Sequence, residues 1–349
     1  MSTLARPGAL QVPGFSVFIP IAPSDAIFTR KNDTMDTCRT YERGCTHMKK
    51  NRLGSSELYV GEIGLGCMSL GTEVEPAINL IHEALDRGVN LLDTADLYDA
   101  GRNEEIVGKA IQGRREQVIL ATKVGNRRLP GKEGWSWDPS KAYIKQAVHD
   151  SLRRLQTDYI DLYQLHGGTL DDPIEETIEA FEELKQEGLI RYYGISSIRP
   201  NVIREYVRRS SIASVMNQYS VVDRRAEEEV LPLLEQKGIS VIARGPVASG
   251  VLADSGASKV EKGYLDYTPD QLLAIREGLS RLVTDERSMA QTAIRYALSH
   301  PAVAAVVPGA SSRTQLLHNI EASASAPLTD AEIQEIREHY PANQYKQHR

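Results

Sequence analysis

The run "LLDTADLYDAGRNEEIVG" at residues 91–108 ends an apolar segment on an acid, Asp93, and presents a phenol, Tyr98, five residues later. Other apolar runs end on reactive side chains of complementary type: Lys123 in "ILATKVG", His166 in "LYQLHGG", Ser196 and Ser197 in "YGISS", Asn217 and Gln218 in "VMNQYS". Taken singly, each has an ordinary structural reading. A lysine ending a strand is usually solvated, a lone histidine is usually a hydrogen-bonded core residue, and Asp93 is suited to capping the next helix. Taken together they form a chemical set. A phenol titrates near pH ~10 and is a poor acid at neutrality. A neighbouring ammonium stabilises the phenolate and lowers that value, and a carboxylate keeps the ammonium charged. An imidazole nearby holds a carbonyl oxygen in line. That set suits protonation of a developing alkoxide. None of these groups delivers hydride, so a nicotinamide cofactor is implied.

Convergence depends on the elements that carry these residues. Eight strand-like runs are read at 62–66, 90–95, 117–125, 159–167, 191–197, 213–220, 239–246 and 304–310, with amphipathic helices between them. In "IEETIEAFEELKQEG" (174–188), Ile178, Phe181 and Leu184 recur at helical spacing and Gly188 supplies the stop. Eight strand–helix units are the count of a (β/α)8 TIM barrel, an α/β fold whose active site lies at the C-terminal strand ends. A doubly wound sheet is the rival. It needs G-x-G-x-x-G after its first strand, and "GLGCMSLG" puts Ser69 where the third glycine belongs. The barrel is therefore expected. After the eighth strand, "VVPGASSRTQLLHNI" runs Gly, Ser, Ser and Arg into a helix start, the place where barrels commonly bind phosphate.

The 349 residues are 25% charged and 41% apolar with a net charge of −6, which argues for a soluble chain without a nucleic-acid partner. No stretch has the ~20 apolar residues of a membrane span, and a cytoplasmic location is expected. Cys38, Cys45 and Cys67 are too few for a disulfide framework, and no second pair joins Cys38, Cys45 and His47 at zinc-site spacing, so no metal is expected. Residues 1–47, broken by Pro and Gly, read as a disordered extension or as sequence upstream of the true start. Residues 48–349 read as a single domain. Two further segments face the expected cleft: the loop 125–140, whose Trp135 and Trp137 either line the substrate site or pack the loop, and the insertion 253–269, whose Lys259 and Lys262 are candidates for a pyrophosphate.

From "RLGSSELYVGEIGLGCMSLG" through "LLDTADLY", "ATKVG", "DYIDLYQLHG", "YYGISS", "MNQYS" and "ARGPVASGVL" to "PGASSRTQLLHNI", the chain resembles the aldo-keto reductases. It is most similar to their bacterial branch of general oxidoreductases, which is related to the potassium-channel β subunits. The resemblance implies a TIM barrel with an N-terminal β-hairpin cap, NADPH/NADP+ as cofactor and an aldehyde or ketone as substrate. It implies Tyr98 as proton donor, Lys123 and Asp93 as its tuning pair and His166 as the carbonyl-orienting residue. Ser196 and Gln218 match the nicotinamide-amide binders, and Gly309, Ser311, Arg313, Gln315 and Asn319 the adenosine-phosphate segment. Gly66, Cys67, Met68, Asp93, Ser197, Arg244 and Pro246 complete the implied cofactor set. Three positions depart from the family: Ser197 where an Asn is frequent, Arg244 where an aromatic ring stacks on nicotinamide, and His318 where many members carry Glu. The other reading is an NADPH-binding regulatory subunit that reports redox state to a partner with little or no turnover.

Overall fold

In a computed structural model, the eight apolar runs become eight parallel strands rolled into a barrel. The structure describes residues 48–129 and 134–349. The expected extension 1–47, with Cys38, Cys45 and His47, lies outside the described residues. The antiparallel hairpin β1 (Lys50–Arg52) and β2 (Tyr59–Gly61) comes first, as the cap implied by the resemblance. Leu53, Leu58 and Val60 of this hairpin are buried against Leu91, Ala121, Leu162, Met216 and Ile242, so the cap closes the apolar barrel interior.

The first three barrel strands are β3 (Leu65–Gly66), β4 (Leu91–Asp93) and β5 (Ile119–Val124). A second hairpin, β6 (Asn126–Arg128) and β7 (Trp135–Trp137), interrupts them. The barrel resumes with β8 (Ile160–Leu165), β9 (Ile190–Ser196), β10 (Ser214–Gln218), β11 (Ser240–Arg244) and β12 (Val303–Val307). Neighbours in space follow chain order, β3-β4-β5-β8-β9-β10-β11-β12. The seam closes where Gly64 N donates to Val306 O (2.8 Å), Val306 N to Glu62 O (2.9 Å) and Gly66 N to Pro308 O (3.1 Å). All eight strands coincide with the expected runs.

The outer layer contains α1 (Val74–Asp86), α2 (Arg102–Ala110), α3 (Lys141–Leu155), α4 (Ile174–Gln186) and α5 (Pro200–Arg209). It continues with α6 (Val230–Lys237), α7 (Pro269–Ser280), α8 (Met289–Leu298), α9 (Arg313–Glu321) and α10 (Asp330–His339). Start signals in the sequence are structurally explicit. Ser140 Oγ caps α3, and Thr268–Gln271, Ser288–Gln291 and Thr329–Glu332 form capping boxes. Gly188, the stop read after α4, has φ +77, a left-handed conformation open to glycine. In α4 the expected stripe turns Phe181 and Leu184 fully inward, where Phe181 stacks on Tyr193 of β9.

Candidate active site

The C-terminal ends of β4, β5 and β8 bring Asp93, Lys123 and His166 to one point, and the turn after β4 delivers Tyr98 to it. Lys123 Nζ donates to Asp93 Oδ2 (2.7 Å) and Thr94 O (2.8 Å), and lies 3.3 Å from Tyr98 Oη. His166 meets the Tyr98 ring edge-on, centroids 5.9 Å apart. Asp99, Ala100 and Gly101 follow the phenol with φ +48, +60 and +88. Three successive left-handed residues are costly unless the surroundings impose them, and at Ala100 neither glycine's freedom nor a polar side chain offsets that cost. The strain produces a sharp reversal that holds Tyr98 over Lys123 while α2 begins four residues further on, at Arg102.

Burial governs the electrostatics. Lys123 is 1% exposed and Asp93 5%, so neither charge is tolerated without the other. Burial works against the Lys123 ammonium, but Asp93 and Tyr98 together hold it above the ordinary lysine value. Burial pushes the Asp93 carboxyl up, with Lys123 as its chief counterweight. The phenol corrects a simple expectation. Lys123 does pull Tyr98 down, yet burial outweighs it and the hydroxyl ends above the ordinary tyrosine value. Burial, then the Lys123 and Arg244 charges, press His166 down to about 3, so its ring is neutral at physiological pH.

These groups stand at one end of a cleft of about 1460 Å³, above the ~300–1,000 Å³ of ordinary small-molecule pockets and roomy enough for a dinucleotide beside a substrate. Gly66, Met68, Ser196, Ser197, Gln218, Arg244, Pro246, Gly309, Ser311, Gln315 and Asn319 line it. The donor set fits a nicotinamide dinucleotide along its length. Gln218, whose Nε2 donates to Tyr264 Oη (2.9 Å), and Ser196 offer amide and hydroxyl groups near the reactive end. At the far end Ser311, Gln315 and the start of α9 offer hydroxyls and helix-end amides to a phosphate. Lys259 lines the wall between, its Nζ 3.4 Å from Ser249 O. Trp135 and Trp137 both border the cleft, but differently. Trp137 packs on Gly125 and Gly167 and donates to Asp172 Oδ1 (2.9 Å), whereas Trp135 is 56% exposed.

Four expected residues stand elsewhere. Cys67 is fully buried behind the wall, with its Sγ 3.6 Å from Leu65 O, because the turn after β3 rotates its side chain inward. Arg313 turns away to Glu83 on α1 (3.1 Å), an exposed ion pair. Asn217 points under the cleft floor and donates to Ser197 O (2.8 Å), since strand alternation gives Gln218 the other side. Lys262 does not reach the cleft wall. Two participants went unread. Gln164, two residues before His166 and so on the same strand face, has its Nε2 3.5 Å from Asp93 Oδ1, a neighbour that strand periodicity alone could have found. Tyr264 comes from the insertion, where no pattern announces it.

Residues 62–341 match the family model described as "Aldo/keto reductase family". The chain is 57% identical over 307 residues to the uncharacterized oxidoreductase YqkF of Bacillus subtilis (strain 168), covering 86% of this chain and 100% of that one. Its fold is similar to the holo form of aldo-keto reductase AKR11C1 from Bacillus halodurans, with 59% identity, a TM-score of 0.83, and coverage of 86% of this chain and 99% of that one. A crystal structure of an aldo/keto reductase from Klebsiella pneumoniae in complex with NADP and acetate is 30% identical, with a TM-score of 0.68 and coverage of 86% and 98%.

Proposed function

The chain belongs to the aldo/keto reductase family, and from that premise we propose that it reduces an aldehyde or ketone to an alcohol with NADPH, Tyr98 donating the proton. The observation that carries this reading is the buried Asp93–Lys123–Tyr98 cluster at the end of a dinucleotide-sized cleft. The NADP held by the Klebsiella pneumoniae relative supports the choice of cofactor. Ser196 and Gln218 would hold the nicotinamide amide, and Ser311, Gln315 and Asn319 the adenosine-phosphate end. Arg313 would reach a 2′-phosphate only by leaving Glu83.

A bound reduced nicotinamide supplies the hydride. The neutral His166 has an N–H to donate to the carbonyl oxygen, and its depressed pKa keeps it from competing as an acid. As negative charge develops on that oxygen, the Tyr98 hydroxyl transfers its proton there and becomes phenolate. The raised phenol makes this transfer harder in the resting cleft; the Lys123 ammonium, already 3.3 Å away, stabilises the phenolate as it forms. Asp93 keeps that ammonium charged and aimed. The phenolate then regains a proton from solvent. A panel of carbonyl compounds followed by loss of NADPH absorbance tests the activity. Tyr98→Phe keeps the ring and removes the proton, so turnover should fall about 10²–10⁴-fold with cofactor binding retained. Wild-type turnover in Tyr98→Phe would refute the assignment and return the cluster to a structural role or to the regulatory reading.

A further inference from the structure

Arg244 ends β11 beside Gln218, with which it is in parallel register, and its side chain lines the reactive end of the cleft. No carboxylate among the described residues pairs with it. Its charge is felt at Asp93, Tyr98 and His166, reaching the same point as Lys123 but from the β11 side. Lys123 is neutralised by Asp93 at 2.7 Å, and His166 is neutral. Of the two cations whose charge reaches Asp93, Tyr98 and His166, Arg244 is therefore the one that no carboxylate among the described residues compensates; Arg199 and Lys259 also line the cleft without an ion pair among those residues.

We propose that Arg244 sets the redox preference of the cleft, favouring bound NADPH over bound NADP+ and so biasing the protein toward reduction and release of the oxidised cofactor. This rests on the function proposed above. The carbonyl gains a hydride and the Tyr98 proton, which leaves the nicotinamide ring with one more positive charge than it began with. A guanidinium fixed at that end of the cleft repels the product ring and is indifferent to the neutral reactant ring. An exposed arginine would be screened; one inside the cleft acts through a lower dielectric. Arg244 is in this sense a specificity-determining residue for the oxidation state of the cofactor.

The test compares dissociation constants for NADPH and NADP+, measured by calorimetric titration on the full chain, in wild type, Arg244→Gln and Arg244→Lys. Wild type should bind NADPH more tightly. Arg244→Gln should narrow the affinity ratio by roughly 15- to 35-fold, the effect of one unit charge acting over ~8–10 Å at an effective dielectric of ~20. Arg244→Lys should keep most of the ratio, because the charge remains. An unchanged ratio in Arg244→Gln, or a loss in Arg244→Lys as large as in Arg244→Gln, would overturn the proposal. A wild-type chain that binds neither dinucleotide would instead overturn the function on which it rests.

Discussion

Replacing Lys123 by Met leaves an unbranched side chain one atom shorter and strips the buried pair of its cation. Asp93 would then be a carboxylate at 5% exposure whose remaining neighbour is the Gln164 amide at 3.5 Å. Two unit charges ~4 Å apart at an effective dielectric of ~20 interact by about 4 kcal/mol, and removing one partner of a buried pair typically costs about 3–5 kcal/mol. Lys123→Met should lose that much stability near pH 8. The double variant Asp93→Asn/Lys123→Met, which leaves no charge stranded, should lose half or less. The pH dependence has a definite sign. Burial already raises the Asp93 carboxyl and Lys123 is what restrains it, so without Lys123 its folded pKa climbs further above the ~3.9 of an unfolded chain. The folded state then binds a proton that the unfolded state does not, so Lys123→Met should recover stability as pH falls through that raised pKa toward the unfolded value. Urea unfolding followed by circular dichroism at pH 8 and pH 5.5 reads all of this. A single variant as stable as wild type at pH 8, or one whose deficit is the same at both pH values, would show that the pair is not electrostatically coupled as its geometry requires.

Because His166 is pressed to about 3, kcat/KM for carbonyl reduction should show no histidine inflection between pH 5 and 8; a break near the ordinary ~6.5 would contradict the neutral-imidazole assignment. The same depression has a stability cost at low pH: an unfolded chain accepts this proton near ~6.5 while the folded one refuses it until about 3, so His166 contributes a loss of stability as pH falls through that window. Gly125→Ala places a Cβ 2.6 Å from the Trp137 ring at φ +122, which should displace the β6–β7 hairpin and raise KM several-fold for bulky carbonyls, from a strain of about 1–3 kcal/mol. Steady-state kinetics with KM unchanged would show that the hairpin does not shape the cleft.

The barrel was legible because two periodicities alternate along the chain, and each strand's last residues carry its chemistry. Asp93, Tyr98, Lys123 and His166 were readable as one cluster for that reason: barrel topology aims all the C-terminal ends at one cavity. What failed was orientation within a correct neighbourhood. Asn217 and Gln218 are adjacent and similar, and only the registered strand decides which of them faces the cleft. Cys67 lies beside Met68 in a turn whose rotation no pattern encodes. Arg313 was placed by its helix, but a long exposed side chain chooses its partner from the surroundings, and Glu83 comes from α1, far away in sequence. The direction of the Tyr98 shift was unreadable for a related reason. Adjacency to Lys123 can be guessed from types, whereas the depth of burial that outweighs it belongs to the assembled protein.

The seam between β3 and β12 has a consequence for how the protein comes into being. Its bridges join Ile63 to Val306 and Gly66 to Gly309, so the ring waits for nearly the whole chain before it can close, an ordering with a high loop-closure cost and slow topology. Asp93, Tyr98, Lys123 and His166 all precede residue 167 and emerge early during synthesis. Gly309, Ser311 and Gln315 arrive last, on the same segment that shuts the ring. A growing chain thus carries the residues proposed to handle the proton well before those proposed to hold the far end of a dinucleotide, and completion of the hoop and completion of the cleft are one event.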